Sequence, residues 1–237
     1  MHYEEKLSHS RSLIETAARD FSPAVCASSL GLEDMVLMDL IARWAPSISI
    51  FTLDTGRLPQ ETYDLIERAE QHFRRRIRVY TPDAAAVEAY VRLNGINGFY
   101  QSVTQRMDCC HVRKVEPLRR ALSGSRAWLT GLRREQAASR SGLAATEFDA
   151  VHGIQKFNPL IDWSLEDVRH HIDARGIPYN ALHDRGYPSI GCAPCTRAVA
   201  PGEDIRAGRW WWEQGQHQEC GIHLRPARAA EPMVRAS

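Results

Sequence analysis

Short apolar runs alternate with helically spaced apolar residues along the first third of the chain. The runs "PAVCAS" (23–28), "SISIFTL" (47–53) and "RIRVYT" (76–81) are rich in β-branched and apolar residues and predict strands. Between the first two, Val36, Leu37, Leu40, Ile41 and Trp44 recur at helical intervals, and between the next two Leu65, Ile66, Ala69 and Phe73 do. Strand, helix, strand, helix, strand argues for a parallel sheet covered by helices. A fourth strand, "RAWLTGL" (126–132), follows a helix predicted from about Cys110 to Leu122. Residues 133–163 predict an Arg-rich loop, a β-hairpin and "KFNPLIDW". Ser164 as N-cap, with Asp167 three residues on, predicts a short helix to about Ala174. Beyond Gly176 the Gly, Pro and Trp content predicts loops packed on the domain, then a polar tail.

A sheet of this kind binds ligands at the carboxyl ends of its strands. "SSLGLED" after the first strand offers Ser28, Ser29 and Gly31 ahead of a helix start, where backbone N–H groups could cradle an anion. The same residues also read as an ordinary capped turn, with Glu33 and Asp34 favouring the first helical turn. "LDTGR" after the second strand brings Leu53, Asp54, Thr55, Gly56 and Arg57, whose side chains could reach a ribose, base or phosphate. "TGLRREQAASR" adds Arg133, Arg134 and Arg140, guanidinium forks suited to sulfate or phosphate, with Arg134 fitting a solvated loop. The run Arg74, Arg75, Arg76, Arg78 reads as a solvated face, because cations are expected where a helix ends.

Composition narrows the classes. At 237 residues, 43% hydrophobic and 25% charged, the chain suits one full globular domain. A net charge of +1 gives no support to general nucleic-acid or membrane affinity. The start "MHYEEKLSHS" lacks a signal-peptide pattern and no segment approaches the roughly 20 apolar residues of a bilayer span, so a cytoplasmic protein is expected. Six cysteines in such a chain point to metal, catalysis or core packing rather than disulfides.

Four of them form a set. "MDCCHVRK" places Cys109 beside Cys110, and a disulfide between neighbours needs a strained ring. "GCAPCTR" supplies Cys192 and Cys195, which alone would read as a redox pair or half of a zinc knuckle. Together the four thiols suit zinc or an iron–sulfur centre, and adjacent sulfurs point to different corners more easily on a cluster of several irons. Cys26 lies in an apolar strand and reads as core. Cys220, in the polar "HQECGIHL", is a candidate nucleophile or an incidental free thiol.

Taken together, "SSLGLEDMVL", "TLDTGR", "CCHVRKVEPL", "TGLRREQAASR", "KFNPLIDW", "YNALHDRGYPSIGCAPCTR", "IRAGRWWWE" and "ECGIHL" resemble the assimilatory adenosine 5′-phosphosulfate reductases, relatives of the phosphoadenosine phosphosulfate reductases and the N-type ATP pyrophosphatases. The resemblance runs from about Phe21 to Leu224. It implies an α/β, adenine nucleotide α-hydrolase-like fold, with a parallel sheet, helices on both faces and a loop-rich C-terminal segment. Residues 1–210 would form one nucleotide-binding domain carrying a [4Fe–4S] cluster on Cys109, Cys110, Cys192 and Cys195, and 211–237 a mobile tail with the catalytic Cys220.

The same resemblance implies that Lys114, Arg140, Arg206 and Arg209 clamp the phosphosulfate, with His223 a tail residue near the reacting group, while "WWWE" reads as an anchor for the tail. Lys114, one helical turn past Cys110, could sit between cluster and substrate. The implied reaction reduces adenosine 5′-phosphosulfate to sulfite and AMP through an S-sulfocysteine on Cys220, with thioredoxin or glutaredoxin as reductant, in sulfate assimilation and cysteine biosynthesis. Relatives without the cysteine quartet generally prefer the 3′-phosphorylated substrate, so the unphosphorylated one is expected here, with dual use open. "GQHQECGIHL" departs from the family's usual basic tail, which bears on reductant docking. A homo-oligomer is expected. The rival readings are a zinc-holding reductase of the 3′-phosphorylated substrate and a non-catalytic zinc-dependent nucleotide-binding regulator.

Overall fold

The computed structural model describes residues 2–136, 140 and 142–213. Six strands, β1 (Ala24–Ala27), β2 (Ser49–Leu53), β3 (Ile77–Tyr80), β4 (Ala127–Leu129), β5 (Thr146–Asp149) and β6 (Ile154–Phe157), form one sheet in the order β3-β2-β1-β4-β6-β5. Every pairing is parallel except β5 with β6, the expected hairpin at one edge. The order runs outward from β1 in both directions, which opens a crevice at the carboxyl ends of β1 and β4.

Strand alternation divides the apolar residues between two faces. Cys26, Ile50, Ala127, Leu129 and Phe157 face the larger core, where α2 (Leu32–Trp44) is buried along most of its length and α1 (Tyr3–Asp20), α3 (Gln60–Phe73) and α7 (Leu165–Arg175) pack around it. Val25, Phe51, Trp128 and Ile154 face the other way and meet Leu118, Ala121 and Leu122 of α6 (Glu116–Leu122). Helices therefore cover both faces. No helix of the described residues is long and apolar enough to cross a membrane.

Three elements differ from the sequence expectation. Helix α1 lies outside the elements predicted above: it buries Ile14 and Ala17 in the larger core and, beside them, the fully buried Ser10. The Ser10 hydroxyl shares its one proton between Lys6 O at 2.9 Å and Pro159 O at 2.7 Å and accepts from Trp163 Nε1 at 3.0 Å. The helix expected from Cys110 starts seven residues earlier: α5 (Val103–Cys110) leads into a π-helical turn (His111–Val115) and on to α6, while α4 (Ala84–Asn94) precedes them. The arginine run is not wholly solvated, since half-buried Arg75 donates to Pro46 O and Ile48 O, both at 2.7 Å.

Candidate active site

A cavity of about 300 Å³ lies at the carboxyl ends of β1, β2 and β4, within the range of small-ligand sites. The turn after β1 contributes Ser28, Ser29 and Gly31, the turn after β2 Leu53 and Thr55, and the turn after β4 Thr130, Gly131 and Arg133. Arg140 and Lys114 also line it, and Ser189, Ile190, Gly191, Arg206, Arg209 and Trp210 complete it from the C-terminal loops.

The first turn is built around a carboxylate. Ser29 N and Oγ donate to Asp34 Oδ2 at 2.5 and 2.7 Å, so these donors are turned to Asp34 rather than left for an anion. Burial pushes the Asp34 carboxyl up to about 6, against the hydrogen bonds from Ser29 that favour its charged form. Gly131 packs against it: a Cβ there would lie 2.4 Å from Asp34 Oδ1, so the site requires glycine. Arg133, expected to bind substrate, is buried and donates to Glu33 Oε1 through Nε and Nη2 at 2.9 and 2.8 Å; it lines the cavity as half of an ion pair. Arg134 pairs with Asp162, and Arg140 donates to Gln136.

In the second turn the expected residues separate. Leu53 and Thr55 line the cavity, whereas Asp54, Gly56 and Arg57 do not. Asp54 accepts from Gly56 N at 2.8 Å and Tyr63 Oη at 2.7 Å, which fixes the turn. Arg57 donates to Ile96 O and stacks on Phe99, with Cζ 4.8 Å from the ring centroid. Thr55 Oγ1 is 3.2 Å from Cys192 Sγ, Thr55 O accepts from buried Arg113 at 2.7 Å, and Ala193 N donates to Arg57 O at 2.8 Å. This turn thus joins the cavity to the CxxC loop.

All four expected ligands line one small space together with Arg57, Arg106, Arg113 and Lys114. Cys109, Cys192 and Cys195 are buried, Cys110 is half-buried, and the four thiols are unbridged. Burial raises the Cys109 thiol, with Arg113 acting the other way, and pushes Cys195 up to about 12, where Lys114 and Arg209 oppose it. Among the described residues no three His, Cys, Asp or Glu side chains converge as on a single metal ion. Four thiols around one space, ringed by cations that stabilise thiolates, fit the wider cage of an iron–sulfur cluster.

Lys114 lines this space and the cavity alike. It sits in the π-helical turn, four residues past Cys110.

The "WWWE" stretch, expected to anchor the tail rather than meet the ligand, reaches the cavity, and the tail beyond Glu213 lies outside the described residues. Trp210 is 1% exposed and lines the cavity, Trp212 packs edge-on against Tyr100, and Glu213 forms a buried ion pair with Arg106 at 2.8 Å. Cavity residues that the sequence did not single out include Thr130, Gly131, Gln136, His183, Pro188 and Ser189. The stretch "YPSIG" directly before the CxxC was the available signal for four of the cavity residues, Pro188, Ser189, Ile190 and Gly191. Cys220 and His223 lie outside the described residues.

Residues 23–198 match the phosphoadenosine phosphosulfate reductase domain. The chain belongs to that reductase family. Two relatives in it, each named adenosine 5′-phosphosulfate reductase, come from Allochromatium vinosum, 53% identical over 220 residues (93% of this chain, 86% of the relative), and Burkholderia cepacia, 52% identical over 198 residues (84% and 79%). Among solved structures, a phosphoadenylyl-sulfate reductase from Candida auris in a phosphate complex aligns with a TM-score of 0.69 at 27% identity, covering 84% of this chain and 96% of that one. A Candida glabrata FMN adenylyltransferase shares the fold alone, with a TM-score of 0.57 at 13% identity over 94% and 75% of the two chains. The reductase family's adenine nucleotide α-hydrolase-like fold is the one expected from the sequence.

Proposed function

We propose that this chain reduces adenosine 5′-phosphosulfate to sulfite and AMP, with thioredoxin as the reductant. The observation that carries the reading is the shared Lys114: a nucleotide-sized cavity and a four-cysteine space meet at one lysine. The names of the relatives support the same substrate. A [4Fe–4S] cluster held by Cys109, Cys110, Cys192 and Cys195 would tie α5 to the 192–195 turn and set the local field beside Lys114.

The chain's own groups carry the rest. Lys114, Arg140, Arg206 and Arg209 surround the cavity with positive charge, which suits a nucleotide bearing two anionic groups. The Cys220 thiolate attacks the sulfonate sulfur; the S–O bond breaks, AMP leaves with the electron pair, and an S-sulfocysteine remains. One thioredoxin thiol attacks Cys220 Sγ and releases sulfite, and the second thiol resolves the mixed disulfide, so two thiols are oxidised as the sulfur is reduced by two electrons.

Intact-mass spectrometry tests the reaction. Without thioredoxin the protein should release about one AMP per site and gain one SO₃ group on Cys220. Reduced thioredoxin should then liberate sulfite. An adduct on another cysteine, or sulfite release by Cys220→Ser at the unsubstituted rate, overturns the scheme. A higher kcat/KM for the 3′-phosphorylated nucleotide would reassign the substrate.

A further inference from the structure

Trp210 combines features that anchoring alone does not require. It is a bulky residue with φ of 45°, in the left-handed region where side chains other than glycine are strained. Its N–H donates to Cys195 O at 3.2 Å, which fixes its backbone to the CxxC loop. Both neighbouring guanidinium groups stack on its ring: Arg209 Cζ is 4.7 Å and Arg106 Cζ 4.8 Å from the centroid.

The two arginines face different parts of the site. Arg106 lines the four-cysteine space and is held by Glu213 through Nε and Nη2 at 2.8 and 3.0 Å. Arg209 lines the nucleotide cavity and donates to Ser189 Oγ at 3.2 Å. Its guanidinium also lies so close to the Gly191 backbone that a Cβ there would fall 2.3 Å from Nη2. Gly191 and the Trp210 ring therefore confine the Arg209 fork, and the far end of the stack is fixed by a buried ion pair.

We propose that Trp210 is a positioning residue: its ring holds Arg209 in the orientation that receives the substrate's anionic group, and ties that orientation to the helix bearing Cys109 and Cys110. This rests on the reading of Arg209 as part of the anion clamp. A guanidinium side chain has many rotamers, and stacking selects one of them before ligand arrives. The strained backbone at Trp210 is what brings the ring under the guanidinium.

The test is calorimetric titration of the full-length, cluster-loaded protein with AMP and with adenosine, which lacks the anion. Trp210→Leu should weaken AMP binding about two- to thirty-fold, the range of a cation–π contact, and weaken adenosine binding by clearly less. Trp210→Phe, which keeps an aromatic face, should restore most of the loss. Replacing Trp210 with mono-, di- and trifluorotryptophan preserves shape while draining the ring face of negative potential, so AMP affinity should fall stepwise even where the leucine variant does not fold. A flat fluorination series, or equal losses for AMP and adenosine, overturns the proposal. Arg209→Ala separates the two levels: if it leaves AMP affinity unchanged, the clamp reading falls and the proposal with it. If it weakens AMP binding while the Trp210 series does not, the positioning role alone falls.

Discussion

Asp34 is the residue whose environment departs furthest from what its neighbours in sequence suggest. Beside Glu33 at the start of α2 it reads as a solvated helix-start acid, yet it is buried and carries the hydrogen bonds of Ser29. Its folded pKa of about 6 stands above the usual 3.8, so its protonation stabilises the fold fully below about pH 4, and that stability is lost as the pH rises through 6. Asp34→Asn should therefore gain relative to the unsubstituted protein between pH 4 and 7, by about 3 kcal/mol, a difference that denaturant titrations at the two pH values read directly. Arg133 makes a similar point. The sequence placed it at the ligand, and it does line the cavity, but its two donors to Glu33 belong to a partner 100 residues away that no local pattern discloses. Arg133→Ala should cost about 3–5 kcal/mol by leaving Glu33 uncompensated, so the loss should appear in Tm before it appears in ligand affinity.

Among the elements, strands and buried helices were legible because their apolar spacing matches their burial: Val36, Leu37, Leu40 and Ile41 are all fully buried in α2. Helix α1 was not predicted: beside Ile14 and Ala17 its buried face carries the polar Ser10, whose partners come from residues 159 and 163. Ser10→Ala should strand the buried Trp163 N–H at a cost of about 1–3 kcal/mol, lowering Tm by several degrees, with helix content by circular dichroism otherwise retained. The π-helical turn was equally hidden, since no residue type marks it. It holds one residue more than a regular helix would, which sets the angle between the cysteine pair and Leu118, buried in the second core.

At the scale of the whole molecule, the sheet order and the turn positions put the cavity where the sequence expected it, while the loops after Gly176, which complete it, carry no periodicity to read. The two cysteine pairs come from opposite ends of that problem, one on a helix and one on such a loop. On the proposed cluster, Cys192→Ser should therefore lose iron, sulfide and thermal stability together, because the group proposed to link α5 to the loop would be gone. Thr55 meets Cys192 across 137 positions of the chain, so the two turns meet only once residue 192 has been made. At about 5–20 residues per second, Cys109 and Cys110 leave the ribosome several seconds before their partners. Through that interval they are two thiols that cannot easily bridge each other, because neighbours form only a strained ring. Adjacency thus spares the half-built site its nearest internal disulfide until the second pair arrives.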